Sequence, residues 1–212
     1  MKKLLLTAAL LLCLLLGGCA SRSPYEGVPN PTVTISLADG RSMRFELFLQ
    51  EAPNTVANFV SLAQQGYYDK LSFFRVVPGV FAQSGDKKNN GTGNAGYTIQ
   101  GEFEANGIEN SVKHIRGTIS MCRQESMDSA SSQFFIVANS YPEYDGQYAA
   151  FGRAMDEESL AVVDSLTSLP VDSSFSPIGS LPRISSITVD TYGYKYTPAK
   201  IDLPDEAGSA LK

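Results

Sequence analysis

The sequence predicts a mainly β domain, a closed antiparallel barrel of about eight strands capped by two α-helices. Three observations carry this. Short apolar or alternating runs recur from residue 32 to residue 190, separated by clusters of Gly, Asn, Asp and Ser, and a period of two is what a strand with one buried face requires. Only two stretches show a helical period. Closure is the arrangement that removes exposed edges from so many short strands.

Taken in chain order, Lys2 and Lys3 precede an uncharged, mostly apolar run from Leu4 to Leu16, followed by Gly17, Gly18 and Cys19. A transmembrane helix needs about 20 apolar residues. The run is shorter, and residues 1–18 read as a signal peptide. Leu16-Gly17-Gly18-Cys19 resembles the lipobox of bacterial lipoproteins, in which the cysteine is acylated and becomes the first residue after cleavage. The resemblance implies lipid on Cys19, loss of Cys13 with the signal, and Cys122 as the remaining thiol. It places the protein outside the cytoplasm in a bacterial cell envelope, held to a membrane by acyl chains at ~0.8 kcal/mol per buried methylene. An ordinary signal peptide with an incidental Cys19 is the alternative. Residues 19–31, with Pro24, Gly27, Pro29 and Pro31, read as a flexible tether.

The domain proper is expected over residues 32–192. Thr32 to Leu37 and Ser42 to Phe48 alternate around Asp39-Gly40, a strong hairpin-turn dipeptide. Pro53 suits a first helical turn, Val56, Phe59, Val60 and Ala63 share a face, and Gly66 supplies a left-handed stop. Strand candidates follow at residues 73–77, 80–83, 97–103, 117–123, 134–138 and 149–155. A second helix is expected near residues 156–166, with Asp156 as N-cap, and a last strand at residues 183–190. Residues 193–212 show no periodicity and are expected to form a mobile tail.

Composition excludes several chemistries. The chain has 212 residues, three cysteines, one histidine and a formal charge of −5. Cys13, Cys19, Cys122 and His114 show none of the pair spacings of a metal site, so no metal is expected. The acidic balance argues against a nucleic-acid partner. Gly91-Thr-Gly-Asn-Ala-Gly96 has the letters of a dinucleotide fingerprint, but Tyr97 onward continues as strand rather than helix, so the glycines read as a tight loop. The serines of residues 126–132 lack a nucleophile elbow and read as a flexible connection. His114 reads as a hydrogen-bonded structural residue, and Glu102 and Glu104 as a solvated face.

Two segments differ in kind. Phe73-Phe-Arg75-Val-Val-Pro-Gly-Val-Phe81-Ala-Gln83-Ser-Gly-Asp86, and Ser132-Gln-Phe-Phe135-Ile-Val with Asp145-Gly-Gln-Tyr148-Ala-Ala-Phe151-Gly, resemble the signature blocks of the cyclophilins. Ala52 to Phe59, Asn90 to Gly93, Lys113-His114 and Gly117 to Met121 extend the resemblance over roughly Thr32 to Asp190. It implies an eight-stranded barrel with two helices, and peptidyl-prolyl cis-trans isomerase activity on proline-containing polypeptides by a monomer without a cofactor. It implies Arg75 as the main catalytic residue with Gln83 beside it. Phe81, Phe135 and Tyr144 would line an apolar proline pocket, with Tyr148 where the family usually has His. Cys122 and Arg123 fall at the substrate-contact segment, and Gly91 near the extended substrate. Given the signal peptide, the clients would be exported proteins whose folding is assisted.

Departures from the family pattern are also expected to matter. Glu143 stands where many eukaryotic members carry the Trp that binds cyclosporin, and Val80 where Phe is usual, which implies weak cyclosporin sensitivity. A binding module that holds proline segments with little turnover is the competing reading. Arg75 favours an enzyme, because holding alone needs the apolar pocket but no donor aimed at the amide nitrogen.

Overall fold

A computed structural model describes residues 25–203. The signal peptide and Cys19 lie outside the described residues. Strand β1 (Thr32–Leu37) pairs antiparallel with β2 (Ser42–Leu47), Val33 opposite Phe45 and Ile35 opposite Met43. The turn between them holds Gly40 at φ 91°, a conformation that favours glycine. Alternation buries Val33, Ile35, Leu37, Met43, Phe45 and Leu47 and leaves the intervening residues outside. Helix α1 (Pro53–Gln64) buries Val56, Phe59, Val60 and Ala63 on the expected face, and Gly66 follows its end at φ 66°.

The remaining strands are β3 (Arg75–Val77), β4 (Phe81–Ser84), β5 (Tyr97–Thr98), β6 (Thr118–Met121), β7 (Phe134–Val137), β8 (Ala150–Ala154), β9 (Ile184–Asp190) and β10 (Ile201–Asp202). Helix α2 (Glu157–Thr167) precedes β9, and its N-cap Asp156 accepts from the Ser159 N–H. One antiparallel eight-stranded sheet runs β3-β4-β7-β6-β8-β2-β1-β9. It curls around a core whose aromatic centre is Phe59, with Tyr68 at 5.0 Å, Phe151 at 5.2 Å and Phe134 at 5.3 Å between ring centroids.

The expected closure is absent: the sheet is a half-barrel. No ladder joins β3 to β9. The seam carries an isolated bridge between Ser72 and Arg183 and single bonds such as Phe73 N–H to the Pro182 carbonyl, 2.8 Å. Proline has no N–H to return, so pairing stops there.

Three further expectations are corrected. The strand expected at residues 97–103 ends at Thr98. Glu102 then turns inward, where its carboxylate accepts from the Asn54 N–H at 3.0 Å and the Thr55 N–H at 2.7 Å. These are orphan donors of the α1 N-terminus, where Ala52 supplies no side-chain cap, so an acceptor is required from elsewhere. Glu102 is therefore buried, not a solvated residue, and burial holds its carboxyl above the usual range despite these bonds.

The segments read as tether and tail are packed where they are described. Leu47 N–H donates to the Pro31 carbonyl at 2.9 Å, Leu49 N–H to Asn30 Oδ1 at 3.0 Å, and Gln50 Nε2 to the Tyr25 carbonyl at 2.8 Å. From the other end, Tyr196 is buried and stacks on Tyr25 at 5.5 Å. Asn54 and the Ala199 backbone bond reciprocally, and β10 pairs with β5. Residues 25–31 and 193–203 are anchored by long-range backbone and side-chain bonds and a tilted ring contact, which leave no periodic trace.

Candidate active site

Strands β4 and β7 are buried on both faces. Ala82, Phe134 and Ile136 point into the core, while Phe81, Phe135 and Val137 form a separate cluster on the outer face with Val77, Val80, Cys122, Tyr144 and Tyr148 around it. Period-two alternation sets this division. Register then brings the polar residues in: Arg75 lies opposite Gln83 on β3–β4, and Gln83 opposite Phe135 on β4–β7.

Arg75 Nη1 donates to Gln83 Oε1 at 3.1 Å, and Gln83 Nε2 donates to Gln133 Oε1 at 2.9 Å. Gln133 Nε2 donates in turn to the carbonyls of Gly91 at 3.0 Å and Gly93 at 2.8 Å. Both glutamines are buried. Each is therefore locked by its neighbour, and the chain ends on the backbone of the glycine loop. That loop is wrapped around Asp86, which accepts from the N–H groups of Lys88, Asn90 and Gly91. A β-carbon at Gly93 would collide with the Asp86 carboxylate.

The guanidinium of Arg75 lies 5.1 Å from the Phe81 ring centroid. Next to it is a hollow of about 120 Å³ lined by Arg75, Phe81, Gln83, Cys122, Arg123, Phe135, Tyr144 and Tyr148. Its aromatic wall is continuous: Phe81 to Phe135 is 5.3 Å, Phe135 to Tyr144 5.6 Å, Phe135 to Tyr148 5.7 Å and Tyr144 to Tyr148 4.8 Å. His114 stacks on Phe135 at 5.9 Å and 11°. Its ring nitrogens are within 3.0 Å of Asp145 Oδ1 and 2.9 Å of Ser120 Oγ. Burial pushes the His114 pKa down, so the imidazole is a neutral brace under the pocket.

Two residues that the resemblance assigns to the site, Arg123 and Cys122, have their side chains engaged or buried within the protein itself. Arg123 gives its side chain to the carbonyls of Gln147, Gln124 and Glu125 and lies 5.0 Å from the Tyr148 centroid. Its guanidinium is thus committed to the loop. Burial pushes the Cys122 thiol far up, which keeps it protonated. Gly91 lines neither this hollow nor its neighbour; it contributes the carbonyl that Gln133 bonds. A second hollow of about 290 Å³ shares Cys122 and Arg123 with the first and takes in Gly93, Gln133 and Leu203. The two form one groove. Glu143 sits exposed in a 3₁₀ turn, Pro142–Tyr144.

Gln133 has no role in the sequence reading, although it alternates with Phe135 and so shares its face. Phe175 carries no signal at all. It lies in the loop after α2, and its ring centroid is 5.8 Å from the Arg75 guanidinium carbon. Among the described residues, no group of three His, Cys, Asp or Glu side chains is arranged to hold a metal ion.

An apolar, aromatic-walled hollow with a hydrogen-bonded guanidinium at its edge thus lies on the outer face of a mainly β half-barrel. Residues 32–189 match the family profile of the cyclophilin type peptidyl-prolyl cis-trans isomerase/CLD, and the chain belongs to that family. The chain is 44% identical to a peptidyl-prolyl cis-trans isomerase of Synechococcus elongatus over 125 residues, 59% of this chain and 81% of the relative. It is also 44% identical to peptidyl-prolyl cis-trans isomerase B of Bacillus subtilis over 117 residues, 55% of this chain and 78% of the relative. A Cryptosporidium parvum cyclophilin type isomerase, solved in the presence of the dipeptide Ala-Pro, superposes with a TM-score of 0.65 at 30% identity. That match covers 75% of this chain and 98% of that one. The protein is a cyclophilin-type peptidyl-prolyl cis-trans isomerase.

Proposed function

We propose that Arg75 is the catalytic residue, that Gln83 positions it, and that Phe81, Phe135, Tyr144 and Tyr148 hold the proline ring of a polypeptide lying along the groove past Cys122 and Arg123. The relative solved with Ala-Pro supports this substrate class. The observation that carries the assignment is the chain Arg75–Gln83–Gln133, which fixes a guanidinium beside Phe81 through Nη1 alone. Its other N–H donors have no hydrogen-bond partner among the described residues, and Arg75 lines the hollow.

Resonance holds an X-Pro amide planar with a barrier of ~18–20 kcal/mol. In the twisted transition state the nitrogen lone pair is localised and can accept a hydrogen bond. A donor held there in advance stabilises that state more than the planar one, by about 2.7–4 kcal/mol or 10²–10³ in rate. The aromatic walls hold the pyrrolidine while the acyl side turns. They also exclude water, which costs the planar amide more because its charge separation is larger. No bond breaks and no proton moves, so neither the buried imidazole nor the protonated thiol has a chemical step to perform.

The family resemblance, not the geometry of the hollow, is what supports a monomer as the working unit. The basic start, apolar run and Leu16-Gly17-Gly18-Cys19 support a lipid-anchored protein of a bacterial cell envelope that assists the folding of exported polypeptides. Relaxation of an X-Pro peptide at low temperature tests the chemistry: Arg75→Ala loses about 10²–10³ in kcat/KM, and a wild-type rate for that variant removes the assignment. Detergent partitioning tests the anchor, since Cys19→Ser moves to the aqueous phase if lipid holds the protein. A Cys19→Ser protein that stays in the detergent phase refutes it.

A further inference from the structure

We propose that Phe175 is a positioning residue for the isomerase reaction, its ring restraining the guanidinium of Arg75. The inference rests on the catalytic reading of Arg75. Its own ground is the backbone. Phe175 adopts φ 62°, a left-handed conformation that a bulky residue reaches only with strain and that glycine adopts freely. Such strain persists where the surroundings over-determine it, and it clusters at functional sites.

The turn that holds Phe175 does not need the side chain. The Phe175 N–H donates to the Asp172 carbonyl at 3.1 Å, and Asp172 N–H donates to the Ser176 carbonyl at 2.9 Å. Asp172 Oδ1 accepts from the N–H groups of Ser174 and Ser176. The Phe175 carbonyl accepts from the Val76 N–H at 2.8 Å, tying the turn to β3 beside Arg75. Glycine could make every one of these bonds. Burial does not explain the ring either, since Phe175 is 41% exposed. What the phenylalanine adds is a second aromatic ring, 5.8 Å from the guanidinium carbon, where Phe81 supplies the first at 5.1 Å. Arg75 has a long side chain anchored by one hydrogen bond to Gln83. Two rings and that bond together limit how far its head can swing from the hollow.

The experiment compares wild type, Phe175→Gly, Phe175→Tyr, Phe175→Leu and Arg75→Ala by X-Pro peptide relaxation and thermal unfolding. Phe175→Gly loses about two- to fivefold in kcat, the rate equivalent of a part-exposed cation–π contact. Its KM is unchanged, and its Tm equals or exceeds that of wild type because the backbone relaxes. Phe175→Tyr restores the rate, whereas Phe175→Leu does not. A wild-type rate for Phe175→Gly, full activity in Phe175→Leu, or a Tm that falls together with the rate would each overturn the proposal. Failure of the underlying reading looks different: Arg75→Ala would then isomerise as fast as wild type whatever Phe175 does.

Discussion

Strands β4 and β7 carry two apolar faces with opposite fates. Inward, Ala82, Phe134 and Ile136 are sealed among α1 and the other strands, with Phe134 fully buried against Phe59 and Tyr68. Outward, Phe81, Phe135 and Val137 are almost as well covered. Their covers, however, are loop residues such as Tyr144 and Tyr148, which leave a hollow of about 120 Å³. The inner face is a core and the outer face borders the proposed site, although both read as the same apolar run. Hydrophobicity alone therefore does not separate packing from binding. What separates them is whether regular elements or short irregular loops cover the surface.

The sharpest way to break this comparison is a pair of neighbouring substitutions. Phe134→Ala costs about 3–5 kcal/mol of stability and leaves the kcat/KM of the folded fraction unchanged. Phe135→Ala costs less stability, because its side of the sheet already borders a hollow, but loses about ten- to hundredfold in kcat/KM as part of the proposed proline wall goes. Denaturant unfolding and peptide relaxation on both proteins check this. Equal catalytic losses would mean that the two faces are not independent.

A smaller effect concerns the His114 brace under the pocket. Burial depresses the His114 pKa below its ordinary 6.5, so the unfolded chain binds a proton there that the folded chain does not. Stability from this group is complete above pH 6.5 and is lost as pH falls toward the folded value. Asp145 adds to the same trend only below its ordinary 3.8. Glu102 acts oppositely: its raised carboxyl pKa favours the folded state as pH falls through its folded value toward the ordinary 4.5. Urea unfolding between about pH 7.5 and about pH 5, a range spanning the imidazole titration, shows the loss in wild type. The same decline in His114→Gln would assign it elsewhere.

The smallest expected effect lies where the C-terminal segment meets the groove. Leu203 lines the second hollow, so Leu203→Ala changes the preference for residues flanking proline by about threefold. The rate on a minimal Ala-Pro peptide stays unchanged. A peptide series with varied flanking side chains measures this, and an unaltered preference would make β10 a structural strap alone.

Much of this was legible without coordinates. Alternation at Thr32 to Leu37, the Asp39-Gly40 turn, the Pro53 start and Asp156 cap are local rules, decided by residues a few positions apart. Arg75, Phe81 and Gln83 were picked out by the cyclophilin resemblance, and the hairpin of β3 and β4 places Arg75 opposite Gln83. Gln133 was half legible: its alternation with Phe135 places it on the outer face, but its tie to Gln83 depends on strand register. Glu102 and Phe175 were not legible, since their partners at Asn54, Thr55 and Arg75 lie far off in sequence.

The chain's own pattern places most of the strands and both helices, because those are matters of period at short range, while the side chains proposed for a proline pocket come from the cyclophilin resemblance. Tertiary structure decides the rest. It leaves the barrel open where Pro182 cannot continue a ladder, buries a carboxylate at a helix end that lacks its own cap, and packs residues 25–31 and 193–203 onto the domain. It also brings a strained phenylalanine against Arg75. Each of these is a contact between residues distant along the chain, and such contacts are fixed by packing geometry that no local pattern encodes.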